Sequence, residues 1–242
     1  MFLLKSKNAI EVLILNKPFL IKRIFLCDKF IFDDKIYKAI KSNNIIVENI
    51  ERKDFLNLIK NGKAKIAAEI SEVSYSDFSD IVKLNSKKSK LLILDKIQDP
   101  HNFGAIIRSA YLFNFDGIIV LNRNQAPISE VVINSSSGAA FLIDIYRVSN
   151  IKNAINQLKK NGYWIYCSYL GNNSQDLESI SWDNKSVVVI GNEGDGVSNN
   201  IAKISDILFT INTKKNGIDS LNASVAAGII FYNLNKKQNE HI

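Results

Sequence analysis

The sequence predicts an α/β fold in two parts, a small α/β domain followed by a larger one built on a parallel sheet. Three observations predict it. Short apolar runs alternate with amphipathic stretches along the chain. In the second part those runs are continuous, as in Val187-Val188-Val189-Ile190, the pattern of parallel strands covered on both faces. The run Lys83–Lys90 (KLNSKKSK) is polar, cationic and aperiodic, which reads as a linker. The division is then residues 1–82, a linker 83–90, and residues 91–242.

In the first part Ile24–Cys27, Ile45–Val47 and Ile66–Ile70 read as strands. Asp33–Lys41 and Glu51–Lys60 read as amphipathic helices, with Ile36, Ala39 and Ile40 on one inner face and Phe55, Leu58 and Ile59 on the other. In the second part the strands are 91–95, 117–121, 143–148, 163–169, 186–191 and 207–211. Helices are expected at 104–113, 130–137, 151–160 and 198–204, with a last one from about Leu221 to Leu234.

Hydrophobic residues make up 46% of the 242, enough for a sizeable core. The net charge of +7 is unevenly placed. Residues 1–90 carry 18 Lys/Arg against 11 Asp/Glu, while residues 91–242 carry 13 of each. A basic part joined to a neutral one suggests that the first holds a polyanion and the second does chemistry. An AT-rich coding bias would also enrich Lys, Asn and Ile, but it does not explain the asymmetry. Cys27 and Cys167 are the only cysteines, so neither a disulfide framework nor a CxxC metal site is expected. With His101 and His241 the only histidines, schemes needing several His ligands are excluded. No apolar run reaches the roughly 18 residues of a membrane span, and no secretory leader is recognisable, so the chain reads as cytoplasmic, with no membrane partner.

Ligands of such folds bind beyond the carboxyl ends of parallel strands. Strand 91–95 runs into DKIQDPHNFGAIIRSA, where Pro100 stops the strand, Asn102 can cap the next helix and Gly104 permits close backbone approach. Arg108, six residues after Asn102 among Ala, Ile and Ser, suits an anion contact; the plainer reading is a capped helix with a surface arginine. Strand 186–191 runs into NEGDGVS, a tight turn with the Glu193 carboxylate at its tip between Gly191, Gly194 and Gly196. Asn199 stands at the third glycine position of a dinucleotide fingerprint and no GxxxxGK[ST] is present, so neither a nicotinamide site nor a phosphate loop is supported. Strand 207–211 runs into NTKKNGIDSLNASVAAGIIFY. There Gly217 marks a turn, Ser220 can cap a helix, and Leu221, Asn222, Ser224, Ala226, Ala227 and Gly228 open it with mostly small residues suited to close packing.

The three segments together, in this order, resemble the SpoU class of the SPOUT superfamily, the RNA ribose 2′-O-methyltransferases. The matching residues are Asn102-Phe103-Gly104 with Arg108, then Ile190-Gly191-Asn192-Glu193-Gly194, then Ser220-Leu221-Asn222-Ala223-Ser224-Val225-Ala226-Ala227-Gly228. They span residues 91 to about 235. The first part is similar to that family's ribosomal-protein-like RNA-binding extension through Asn8-Ala9-Ile10-Glu11-Val12-Leu13. It departs from it at Ser6, where a glycine is usual, and at Asn61-Gly62-Lys63-Ala64-Lys65-Ile66, where a His-Gln-Gly triplet is common.

The resemblance implies a C-terminal trefoil knot, an exception to the rule that chains do not thread. Turns at 191–194, 211–213 and 220–222 would form the knot and wrap S-adenosyl-L-methionine. Gly191, Asn192, Glu193, Gly194, Ile211, Leu221 and Asn222 would hold that cofactor, largely through backbone groups, although Ile211-Asn212-Thr213 stands where the family has Ile-Pro-Met. No metal is implied. Arg108 is the family's proposed catalytic residue, with Asn102, Glu193, Ser220 and Asn222 orienting the site and Glu193 expected as a buried partner of Arg108. A homodimer with the site near its interface is implied. The expected reaction is 2′-O-methylation of RNA, by similarity to the bacterial group that modifies a guanosine of 23S ribosomal RNA. A transfer-RNA ribose methyltransferase and a non-catalytic RNA-binding or ribosome-assembly protein are the alternatives.

Overall fold

The computed structural model describes residues 2–60, 62–83, 86–171, 173–214 and 220–239, with only the backbone of Val82, Lys83 and Asn239. The expected turn residue Gly217, and His241, lie outside the described residues.

The first part is a four-stranded sheet, with β1 (Phe2–Leu4), β2 (Ile21–Leu26), β3 (Val47–Asn49) and β4 (Ile66–Ile70) in the order β1-β4-β2-β3. β4 runs antiparallel to β1 and β2, and β3 parallel to β2. Period-2 alternation divides the core. Ile24, Leu26 and Ala68 face α1 (Lys7–Asn16) and α2 (Asp34–Ser42), while Phe25, Cys27 and Ala67 meet Phe55 and Ile59 of α3 (Arg52–Ile59). The departure at Ser6 has a local role, because its hydroxyl accepts from the Ala9 N–H and caps α1.

The second part is a seven-stranded parallel sheet. Its strands are β5 (Ser89–Asp95), β6 (Gly117–Leu121), β7 (Asp144–Val148), β8 (Trp164–Ser168), β9 (Gln175–Asp176), β10 (Lys185–Gly191) and β11 (Ile207–Thr210), in the order β7-β6-β5-β10-β8-β11-β9. All seven residues of β5 are buried, the apolar run Leu91–Leu94 as expected and the polar Ser89, Lys90 and Asp95 with it. Leu92, Leu94, Val188 and Ile190 lie on the face of α5 (Pro100–Leu112), α6 (Glu130–Ser135) and α9 (Ala223–Asn239). Leu91, Ile93, Val187 and Val189 lie on the face of α4 (Phe78–Lys83), α7 (Ile151–Lys160) and α8 (Asn199–Ala202). β10 slots between β5 and β8, so the chain reverses its direction of travel across the sheet beside β10. Loops leaving neighbouring strands diverge there and open a crevice.

Several expectations are corrected. Asp99, not Asn102, caps α5: its carboxylate accepts from the His101 N–H at 2.9 Å, and Pro100 supplies the first helical residue, where its fixed φ and missing N–H cost nothing. Asn222, not Ser220, caps α9: its side-chain oxygen accepts from the N–H groups of Ser224 at 2.9 Å and Val225 at 3.3 Å. Within the run expected as a linker, Lys83 closes α4, and Ser89 and Lys90 open β5, both buried. The Lys90 ammonium donates to the Phe113 carbonyl at 2.6 Å, and burial pulls its pKa down. The chain reaches the second sheet before that run, since Ser76 pairs with Tyr146 and its hydroxyl bonds Asp144 at 3.0 Å. No helix among the described residues is long and apolar enough to cross a membrane.

Candidate active site

Loops leaving β8, β10 and β11, with the segment that enters α9, enclose a cavity of about 320 Å³. Its walls include Ser168–Leu170 after β8, Gly191–Val197 after β10, Thr210, Ile211 and Thr213 around the end of β11, and Ser220, Leu221, Ala223 and Ala226. The volume falls in the range of small-molecule sites, about 300–1,000 Å³.

The loop after β10 is built to bend back on itself. Asn192 accepts on its side-chain oxygen from the N–H groups of Gly194 and Asp195, each at 2.8 Å, and Gly196 N–H returns to the Asn192 carbonyl at 3.1 Å. This return passes directly over Gly191. A Cβ there would sit 1.9 Å from the Gly196 carbonyl carbon, so only glycine allows the path. The buried Asp95 carboxylate anchors the far end of the loop by accepting from the Ser198 N–H at 3.1 Å.

At the border of the cavity three predicted side chains form one chain of hydrogen bonds. The Asn222 amide donates to Asn102 Oδ1 at 3.0 Å, and the Asn102 amide donates to Glu193 Oε1. The chain joins three elements far apart in sequence: the first turn of α5, the loop after β10 and the cap of α9.

Arg108 is not in that chain. Six residues along a helix correspond to about 9 Å of rise and about 120° of net rotation, which turns Arg108 away from the Asn102 face. Its Nη1 donates to Ser137 Oγ at 3.1 Å, in the turn after α6. The expected pairing of a buried Glu193 with Arg108 is therefore corrected. Glu193 is exposed and held by Asn102, and Arg108, also exposed, is held by Ser137. α5 lies between α6 and α9, so its two polar residues serve opposite neighbours. Gly104 marks the α6 side, where a Cβ would meet Ser135 Oγ at 2.0 Å.

Of the residues expected at a cofactor, Gly191, Asn192, Glu193, Gly194, Ile211 and Leu221 line the cavity, and Ser220 joins them. Asn222 stands beside it through the hydrogen bonds above. The sequence reading missed Tyr169, Leu170 and Asn199, which also line it. The rule that drew attention to the other strand ends applies equally to β8 and would have found Tyr169. The reading also missed Ser137, whose partner lies 29 residues away in sequence with no motif around it.

Residues 89–232 match the SpoU rRNA Methylase family. A Staphylococcus saprophyticus protein named for the TrmH family of tRNA/rRNA methyltransferases is 37% identical over 210 residues, covering 85% of this chain and 83% of that protein. The crystal structure of an AdoMet-bound rRNA methyltransferase from Sinorhizobium meliloti superposes with a TM-score of 0.80 at 24% identity, covering 97% of this chain and 87% of the other. The SpoU methyltransferase AviRb from Streptomyces viridochromogenes, in complex with AdoMet, superposes with a TM-score of 0.79 at 18% identity, covering 99% and 91%.

Proposed function

The chain belongs to the SpoU family of RNA methyltransferases, and from that premise we propose that it moves a methyl group from S-adenosylmethionine to a ribose 2′-hydroxyl of ribosomal RNA, a guanosine of the 23S molecule. The observation that carries the reading is the Asn222–Asn102–Glu193 chain at the border of a cavity that the expected cofactor residues line.

The cavity suits the cofactor chemically. Ile211 and Leu221 offer apolar contact, while Asn192, Asp195, Thr213 and Ser220 offer hydrogen-bonding groups for hydroxyls and amines. The folded-back loop at Gly191–Gly196 presents backbone along one wall. When bound, the cofactor supplies an electrophilic methyl whose leaving group is a neutral thioether. The protein's share is to place the ribose hydroxyl in line and to stabilise its developing negative charge. Arg108 offers five N–H donors and no acceptor, so it is not read as the base. Its guanidinium instead fits a role in anchoring the adjacent substrate phosphate, whose oxygen would take the hydroxyl proton, and in stabilising the forming alkoxide. Asn102, tied on both sides, orients the ribose, and Glu193 and Asn222 fix Asn102.

A C-terminal knot is part of this proposal, as is a homodimer with the site near its interface. The dimer is supported by an apolar stripe on α9, where Val225, Ile229 and Tyr232 are 51%, 39% and 61% exposed at helical spacing. The first part, with residues 1–82 as an RNA-holding domain, is supported by its 14 Lys/Arg against 11 Asp/Glu, to which residues 83–90 add four lysines. Two free, buried cysteines suit a cytoplasmic setting.

The test is transfer of tritiated methyl from S-adenosylmethionine to two unmodified transcripts, 23S ribosomal RNA and a pool of transfer RNAs, with the product mapped by resistance to alkaline cleavage. Labelling of 23S RNA at a ribose supports the reading. Labelling confined to transfer RNA moves the target, and no cofactor binding by calorimetry at millimolar concentration leaves a non-catalytic RNA-binding protein.

A further inference from the structure

We infer that Ser137 is a positioning residue that holds the Arg108 guanidinium ready for the reaction, from a turn clamped between the site and the N-terminal part. The inference rests on the role proposed for Arg108. Ser137 Oγ accepts from Arg108 Nη1 at 3.1 Å, and Arg108 is otherwise an exposed side chain on a helix surface, with several rotamers open to it. The turn that carries Ser137 is unusual in its backbone. Ser137 has φ +52°, the left-handed region that a serine avoids, and Gly138 follows with φ +87°. Such a conformation persists only where the surroundings impose it.

They do so on every side. Ser136 is fully buried, its hydroxyl donating to the Ile133 carbonyl at 2.9 Å and accepting from the Ala140 N–H at 3.3 Å. Ser135 packs against Gly104 so closely that a Cβ on the glycine would lie 2.0 Å from its hydroxyl. Gly138 packs against α1 of the N-terminal part, where an added Cβ would meet Ala9 Cα at 3.0 Å and Val12 Cβ at 3.1 Å. Arg108 and Gly104 lie one helical turn apart on the same face of α5, so the turn meets that face at both residues. Ser137 is thereby forced into the left-handed region with its hydroxyl toward Arg108. The N-terminal part, through α1, helps to hold the turn that aims the guanidinium.

A merely structural role and a positioning role predict different results for Ser137→Gly. Glycine accepts φ +52° without strain but cannot bond Arg108. Positioning predicts a melting temperature equal to or above that of wild type, cofactor Kd and RNA KM within about twofold, and kcat lower by about tenfold. Ser137→Asn, which tolerates the left-handed region and offers an amide oxygen, recovers most of that loss. Activity is read on whichever of the two transcripts accepts methyl. A readout independent of activity is the guanidinium signal of Arg108 in 15N-arginine-labelled protein, where only five arginines contribute and Arg108→Ala assigns the peak. That signal shifts in Ser137→Gly. Wild-type kcat in Ser137→Gly, an unmoved signal, or kcat and melting temperature falling together would overturn the inference. Full activity in Arg108→Ala would instead defeat the functional reading on which it rests.

Discussion

On the α9 side of α5, Asn102 is bonded to two other side chains, Glu193 and Asn222, that come from distant parts of the chain. On the α6 side, Arg108 rests on one hydroxyl in a left-handed turn that is itself wedged against the N-terminal part. Asn102 and Arg108 belong to one sequence motif, yet helix geometry sends them to different neighbours. The difference teaches that a motif can be a list of parts for two jobs. One side braces the cavity. The other presents a single cation held by a hydroxyl from outside the motif.

Substitutions should separate the two jobs. The largest expected effect is on the α6 side. Arg108→Ala lowers kcat by about 10²–10³-fold, the usual loss for one group stabilising transition-state charge, while cofactor affinity by calorimetry stays near wild type. The next is at the cavity. Gly191→Ala places a Cβ 1.9 Å from the Gly196 backbone, forces the loop open, and weakens cofactor binding by about 100-fold, some 2.7 kcal/mol. Gly138→Ala, strained at φ +87° and pressed on α1, costs about 1–2 kcal/mol of stability by chemical denaturation. Smallest is Asn222→Ala, which removes the α9 cap for about 1 kcal/mol of stability and, by freeing Asn102, raises the cofactor Kd severalfold. If Arg108→Ala weakened cofactor binding as much as Gly191→Ala does, the two sides would be one site after all.

Much of this architecture was legible in the sequence, because the signals were local and strong. Continuous apolar runs marked β5 and β10, and the 3.6-residue period marked α2 and α7, the latter at the expected Ile151–Lys160. Short elements escaped. β1 and β9 are three and two residues long, held by partners far away, and α4 has only six residues. Caps were misplaced where two candidates sat close together: Asp99 competed with Asn102, and Asn222 with Ser220. The linker reading failed at Lys90 because a buried ammonium bonded to the Phe113 carbonyl has the same letter as a solvated one. In the site, residue types were legible from motif order, whereas pairings were not. Glu193 and Arg108 look like an ion pair on paper, but the charge of each is met by a neutral neighbour, Asn102 and Ser137.

The most direct test of the central claim is ribose methylation by purified protein, with tritiated S-adenosylmethionine and an unmodified 23S transcript, wild type beside Arg108→Ala. The account predicts one alkali-resistant labelled position with the wild-type protein and about 10²–10³-fold slower labelling with the variant, both proteins binding the cofactor equally. Equal labelling rates for the two proteins, or a label on a base instead of a ribose, would contradict it.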